Sequence, residues 1–390
     1  METTSAPTQR TYGLRDAVSG ALVPFLASRI ALLAVAQFSQ ALPLAQRWTT
    51  AAPGEDRAFA PTFLLDVWGR WDTRWYLELA LHGYRPDPLF TTHHSALAFF
   101  PLYPALMRAV LAVFPTAARG PALALAVGVA ISNAAALGAV LLLHRHVRSR
   151  LGPEVAARTV WALLAFPTAF FLSCAYTEAL FLLLAVAAFH FAWSERWPGA
   201  GAAGFLLALC RPNGLLVALP LGWLALSRRR ARGGRATAVA LACAALPVLA
   251  FAAWALYLAR LTGDPLAIGH AQAPWARGLA APWTTLFRPR FIDRMVDVDR
   301  GALLLACAGA VLAFRRLSAA DGILAVAFLA PALCSGLLMS GARFALVLFP
   351  AFVALAATAR GGALAKSALF VAVAFQAALF TVWCRMGWVG

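Results

Sequence analysis

From Pro121 to Leu143 the chain carries no charged side chain, and it then meets His144-Arg145-His146-Val147-Arg148-Ser149-Arg150. A run of that length matches the roughly 20 apolar residues that cross a bilayer as a helix. The helix is also the form in which a single segment satisfies all its backbone N–H and C=O groups without water. The same alternation of apolar runs and short arginine clusters recurs along the sequence, so the expected fold class is an all-α polytopic membrane protein. Composition agrees: 62% of the 390 residues are hydrophobic, 13% are charged and mean hydropathy is +0.74, against roughly 45–50% and about 25% in soluble chains.

A net charge of +17 would point a soluble protein toward nucleic acid. Here the arginines sit between apolar runs, the pattern of cytoplasmic loops under the positive-inside rule, and nucleic acid is set aside as a partner. Cys174, Cys210, Cys243, Cys307, Cys334 and Cys384 are scattered without CxxC or His-linked spacing, which implies neither a zinc site nor a disulfide framework. The N-terminus is polar to about Gly20 and lacks a small-residue cleavage site after a short apolar core. A first span from about Ala21 to Leu44 is therefore expected to stay as an anchor.

Arg10 and Arg15 place the N-terminus in the cytoplasm, so the first span delivers an outer loop, 47–119. Within it, Phe63 to His82 is expected as one interfacial helix with Trp68, Trp71, Trp75 and Leu79 at spacings of three and four. Phe99 to Phe114, broken by Pro101 and Pro104, reads as a second interfacial or re-entrant helix. A full crossing there would leave His144 to Arg150 on the wrong side. The chain then crosses outward from Arg158 to about Cys174, turns at Ala175-Tyr176-Thr177-Glu178, and returns to Trp193. The run from Ala200 to Leu226 must break at Arg211-Pro212-Asn213-Gly214 as a re-entrant hairpin to keep Arg228-Arg229-Arg230 inside. A span from about Thr237 to Leu258 leads to a second outer loop, 260–300. Spans from about Ala302, Ile323, Phe344 and Ser367 follow, with Arg315-Arg316 and Arg360 to Lys366 inside. The expectation is one domain, 1–390, of about 9–11 transmembrane helices. Its parity gathers Asp72, Glu178, Asp264 and Arg343 at the outer face, and convergence on one side argues for one site. Arg211 would lie within the membrane, where a charge is costly and usually functional.

Trp71-Asp72 followed by Tyr76 and Gly83-Tyr84, then Phe99-Phe100-Pro101-Leu102-Tyr103-Pro104, resembles the PIG-V-type mannosyltransferases of the GT-C superfamily. Further segments resemble that family in the same order. They are Ala165-Phe166-Pro167 through Tyr176-Thr177-Glu178-Ala179-Leu180-Phe181, Arg211-Pro212-Asn213-Gly214, Thr262-Gly263-Asp264-Pro265 with Gln272 and Trp275, and Ser340-Gly341-Ala342-Arg343-Phe344 with Phe349-Pro350. The likeness covers roughly residues 65 to 355. It implies a GT-C-like bundle that moves mannose, with inversion, from a polyprenyl-phosphate-mannose donor to a hydroxyl of a lipid-linked or glycan acceptor. Eukaryotic members work on a glycosylphosphatidylinositol precursor in the endoplasmic reticulum. The Ala- and Arg-rich usage of this chain suits a bacterium of high genomic G+C, and so a plasma membrane with the site facing outward. The implied partners are the polyprenyl-phosphate sugar donor, a glycolipid or glycan acceptor and membrane lipids; some relatives add an accessory membrane subunit. A lipid-phosphate sugar requires no nucleotide, so the missing Walker loop and glycine fingerprint are expected, and no cofactor is implied.

Inverting transfer needs a general base for the acceptor hydroxyl and cations for the departing phosphate. Asp72 matches the luminal aspartate of the first outer loop in GT-C enzymes and is the candidate base; its alternative is a surface ion pair with Arg70 or Arg74. Arg211 and Arg343 are candidates for the phosphate, since guanidinium forks match its oxygens, though Arg343 also suits a span flank. Glu178 would bind a sugar hydroxyl, orient an arginine or serve as a structural acid. Tyr76, Tyr103 and Tyr176 would stack on the sugar or belong to the aromatic belt. His94, Asn213 and Gln272 are further sugar or acceptor candidates, with loop packing as the alternative for Gln272. No HxxxH or DxD spacing occurs in the first outer loop, so no metal is expected. The competing function is a lipid or sugar transporter or flippase, because charges inside a bundle also mark transport pathways; no internal repeat supports it.

Overall fold

The computed structural model describes residues 12–42, 57–288, 295–359 and 361–389, and every regular element among them is a helix. The principal helices are α1 (Leu14–Ser39), α2 (Phe63–Asp66), α3 (Thr73–His82), α4 (Leu102–Leu111), α5 (Pro121–Leu151), α6 (Pro153–Leu164), α7 (Glu178–Trp193), α8 (Trp197–Ala208), α9 (Ala218–Ser227), α10 (Gly234–Thr262), α11 (Val296–Arg316), α12 (Ala319–Leu333), α13 (Gly341–Leu346), α14 (Phe349–Thr358) and α15 (Ala363–Cys384). Among the described residues α1, α5, α10 and α15 are long and apolar enough to cross a membrane unaided. Helices α4, α7, α12 and α14 are apolar but shorter than the roughly 20 residues of a straight crossing. Arg10, the end of the first span at Leu44, residues 47–56 and 289–294 of the outer loops, and Arg360 lie outside the described residues.

Helix α7 is the centre. It is apolar on all sides, Leu180 to Ala188, and nearly every residue is buried, the signature of a core helix rather than a surface one. Helices α5 and α8 pack along it, and α10 packs along α8. On the other side, α11 lies against α12 and α14. The α11–α14 approach depends on small residues: a Cβ on Gly309 would stand 2.5 Å from the Ala351 Cβ.

The chain does fold back at Arg211 as a helical hairpin. Glu195, just before α8, pairs with Arg228 and Arg232, just after α9, at 2.9 and 2.6 Å. Both limbs therefore begin and end at one end of the bundle, and the Arg211 break forms the tip. Pro212 opens a 3-10 segment, Pro212–Val217. There the chain folds so closely over α8 that a Cβ on Gly214 would stand 2.1 Å from the Leu207 carbonyl oxygen, a contact only glycine permits.

Two expected helices are broken. Phe63 to His82 is not continuous: α2 ends at Asp66, α3 starts at Thr73, and Trp71 between them has a left-handed φ of 47°. The buried Asp66 carboxylate accepts N–H bonds from Ala58, Phe59 and Ala60 and pairs with the buried Arg70, and these bonds override the helical tryptophan spacing. The tryptophans consequently face different partners: Trp68 stacks on Phe380, Trp71 meets Trp388 edge-on and Trp75 stacks on Phe99. The span expected from Phe344 is likewise split into α13 and α14, consistent with Pro350, which disfavours helical geometry in the residue before it. Helix α4 occupies the middle of the expected second loop helix and buries Tyr103, Met107 and Leu111, one face at a spacing of four. Helices α12 and α15 start about one turn, and α11 nearly two turns, earlier than the apolar pattern suggests.

Candidate active site

Four separated segments meet at the end of the bundle opposite Glu195. The first is the turn before α3. The Tyr176 hydroxyl donates to the Arg70 carbonyl (2.9 Å) and accepts the Asp72 N–H (3.2 Å). The Ala175 N–H bonds the Trp68 carbonyl at 2.9 Å, and the Trp383 indole N–H bonds the Val67 carbonyl at 2.7 Å. This clamp and the left-handed Trp71 aim the Asp72 side chain into a cavity of about 700 Å³, a figure that includes its open mouth. Glu178, the first residue of α7, supplies the second carboxylate. Arg211 comes from the hairpin tip and Arg343 from α13, whose Ala342 N–H is held by Asp299 at 2.8 Å.

The charges form one network. Arg343 donates through Nε (2.9 Å) and Nη2 (2.8 Å) to Glu178 Oε1, and through Nη1 to Asp72 Oδ2 at 3.2 Å. Its guanidinium lies over the Tyr176 ring, 4.6 Å from the centroid. Arg211 Nη2 shares the same Glu178 oxygen at 2.8 Å. Glu178 Oε2 and Arg211 Nη1 are buried and have no hydrogen-bond partner among the described residues. The two acids differ in access: the Glu178 side chain is fully buried, whereas that of Asp72 is 17% exposed and lines the cavity.

The other expected residues divide. Tyr76, Asn213 and Gln272 line the cavity. Burial pushes the Tyr76 phenol up, so it stays neutral. Tyr103 does not reach the cavity; it is fully buried, donates to the Gly128 carbonyl at 2.8 Å and packs beneath Tyr76. Tyr176 is also fully buried, and its hydroxyl is consumed by the clamp. Both belong to the scaffold: backbone groups occupy the Tyr176 hydroxyl, and the Gly128 carbonyl and the Ser132 hydroxyl occupy that of Tyr103. His94 is exposed, with its ring 4.2 Å from that of Trp275, itself a lining residue. Asp264 does not join the network. It bonds His270 at 2.6 Å, which holds its carboxyl below the usual range. Neither Arg70 nor Arg74 partners Asp72: Arg70 is taken by Asp66, and Arg74 lies over the Trp75 ring at 4.1 Å.

Sequence reasoning missed Arg277, Phe99, Ser340 and Phe344, all of which line the cavity. Arg277 follows Trp275 by two residues in a loop without periodicity, and proximity to that segment is the one signal that would have found it.

Residues 17–219, just over half of the chain, match the model for mannosyltransferase (PIG-V). The chain belongs to the PIG-V mannosyltransferase family. No curated protein sequence matches this family member. Among solved structures, it is similar to ArnT from Cupriavidus metallidurans bound to undecaprenyl phosphate, with 13% identity, 90% of this chain and 62% of that chain covered, and a TM-score of 0.54. It is also similar to the Archaeoglobus fulgidus oligosaccharyltransferase in its apo form, with 13% identity, 95% and 56% coverage, and a TM-score of 0.49. The likeness to ArnT is one of fold, and this PIG-V family protein spans about three fifths of the ArnT chain.

Proposed function

We propose that this protein is an inverting mannosyltransferase taking mannose from a polyprenyl-phosphate-mannose donor to a hydroxyl of a lipid-linked or glycan acceptor. The observation that carries the reading is the asymmetry of the two acids. Asp72 opens into the cavity within reach of an arginine cluster, whereas Glu178 is sealed behind it. Asp72 takes the acceptor hydroxyl proton as the oxygen attacks the anomeric carbon. The bond from that carbon to the phosphate oxygen breaks, and its electron pair leaves with the polyprenyl phosphate. The guanidinium groups of the cavity wall stabilise that growing negative charge, a role for which no metal is needed. Glu178 keeps Arg211 and Arg343 close together by neutralising part of their charge. The arginine-rich opposite end, with Arg150, Arg228 and Arg232, suits the cytoplasmic side, which would turn the cavity outward at a bacterial plasma membrane or to the lumen of an endoplasmic reticulum.

The test is sugar transfer from radiolabelled polyprenyl-phosphate mannose by purified protein in native lipid extract, with chelator present. Asp72→Asn should reduce turnover by about 10²–10⁴-fold while leaving folding and donor binding intact. Equal transfer by the variant would remove Asp72 from the role of base.

A further inference from the structure

Among the described residues, five non-glycine residues have left-handed backbone: Trp71, Glu195, Ala276, Ser340 and Met386. Trp71 and Ala276 directly precede Asp72 and Arg277, and Ser340 lies three residues before Arg343. Strained backbone of this kind persists where surrounding structure enforces it and clusters at functional sites. Arg277 thus shares a structural mark with Asp72 and Arg343, although it belongs to the second outer loop.

The three arginines of the cavity are not equivalent. Arg343 faces two carboxylates, Asp72 and Glu178, and lies over two aromatic rings, Phe171 and Tyr176. Arg211 faces one carboxylate and has a buried, unpartnered Nη1. Among the described residues Arg277 forms no ion pair; its Nη1 donates to the neutral Gln272 Oε1 at 3.2 Å, and its guanidinium lies 5.9 Å from the Phe344 ring centroid. Burial pushes the Arg277 guanidinium down to about 10, the direction expected for a cation whose desolvation is not fully compensated. The residue is nonetheless fixed in place. Gln272 Nε2 bonds the Ala98 carbonyl at 3.1 Å on one side of it, and the Gly278 and Ala280 N–H groups bond the Ser335 and Cys334 carbonyls at 3.0 Å on the other.

We propose that Arg277, together with Nη1 of Arg211, holds the phosphate of the lipid-linked substrate, and that Arg343 is a positioning residue that fixes the two carboxylates without touching phosphate. This inference rests on the reading above that the cavity takes a polyprenyl phosphate. Its logic is charge balance. The cavity holds three guanidinium groups against two carboxylates, and a phosphate supplies the missing negative charge. As the sugar leaves, the phosphodiester with one negative charge becomes a monoester approaching two, so a cation not committed to a carboxylate gains most when the bond breaks.

The experiment measures binding of undecaprenyl phosphate and of the uncharged alcohol undecaprenol to the full chain in nanodiscs, alongside transfer. The proteins compared are wild type, Arg277→Gln, Arg277→Lys and Arg343→Lys. Arg277→Gln should weaken undecaprenyl phosphate about tenfold or more, the effect of losing a charge-assisted contact, and leave undecaprenol unchanged; Arg277→Lys should recover part of the loss. Arg343→Lys should bind undecaprenyl phosphate within roughly twofold of wild type while losing transfer, because it misplaces Asp72. Binding by Arg277→Gln within twofold of wild type overturns the assignment, as does an equal loss in Arg343→Lys. Should Arg343→Lys fail to fold, the Arg277 pair still decides. Wild type that binds undecaprenyl phosphate without transferring sugar defeats the transferase reading alone, whereas wild type that binds none defeats both.

Discussion

The two ends of the bundle pair their charges in opposite ways. At the Glu195 end, Arg150 grips Asp321 through both carboxylate oxygens at 3.0 and 2.6 Å and lies 3.8 Å over the Trp193 ring, while Ser318 bonds the same carboxylate. Glu195 is held by Arg228, Arg232 and the Trp197 indole, again through both oxygens. At the cavity end, two arginines crowd one oxygen of Glu178, and among the described residues its other oxygen and Arg211 Nη1 have no hydrogen-bond partner and Arg277 forms no ion pair. Saturated pairs hold helices together. Unsaturated ones beside a cavity retain capacity for a charged ligand, and the low local dielectric makes that capacity strong.

The contrast breaks most visibly at Glu178. Glu178→Gln leaves two buried guanidinium groups facing a neutral amide, and the fully buried position makes the stability loss about 3–5 kcal/mol, with transfer lost as well; thermal unfolding and transfer on the same preparation check both. At the other end, Asp321→Asn should cost a similar few kcal/mol because its carboxylate is equally buried. Transfer per folded molecule should stay near wild type, and a large fall there would show that the two ends are not functionally distinct. The smallest effect belongs to Glu195, which is 44% exposed. Burial raises its carboxyl, but bonds from Trp197, Arg228 and Arg232 outweigh that and hold it below the usual value. A depressed carboxyl stabilises the fold above its unfolded value of about 4.3 and loses that contribution as pH falls through the folded value. Wild type should therefore melt slightly above Glu195→Gln near pH 7, by less than about 1 kcal/mol, with the gap closing in acid; a gap constant over pH 3–7 would contradict the ion-pair account.

Much of the fold was legible because its causes are local. The bundle class follows from apolar runs, and the hairpin tip from Pro212 and Gly214, whose backbone limits act within a few residues. The Phe63–His82 helix was misread because periodicity reports which face could be buried, not whether a competing bond set such as that of Asp66 and Arg70 prevails. The sequence leaves Tyr103 and Tyr176 open between sugar contact and aromatic belt, because a tyrosine looks the same in a clamp as at a cavity wall. Asp72 stands out by its match to the luminal aspartate of GT-C enzymes, and Arg211, Arg343 and Glu178 by residue type and context; the sequence puts Asp72, Glu178 and Arg343 on one side of the membrane together with Asp264, and Arg211 within it, but not in contact.

By itself, then, the sequence determined a membrane-embedded helical chain, the place where it folds back and a short set of charged residues at one end. Only the tertiary structure decided which charge meets which. Arg343 reaches Asp72 across 271 positions and Glu178 across 165, and Arg277 enters from a loop with no periodic signal. Ion pairing is set by distances of a few ångströms between segments remote in sequence, and those distances exist only once α7, the hairpin and α13 have packed.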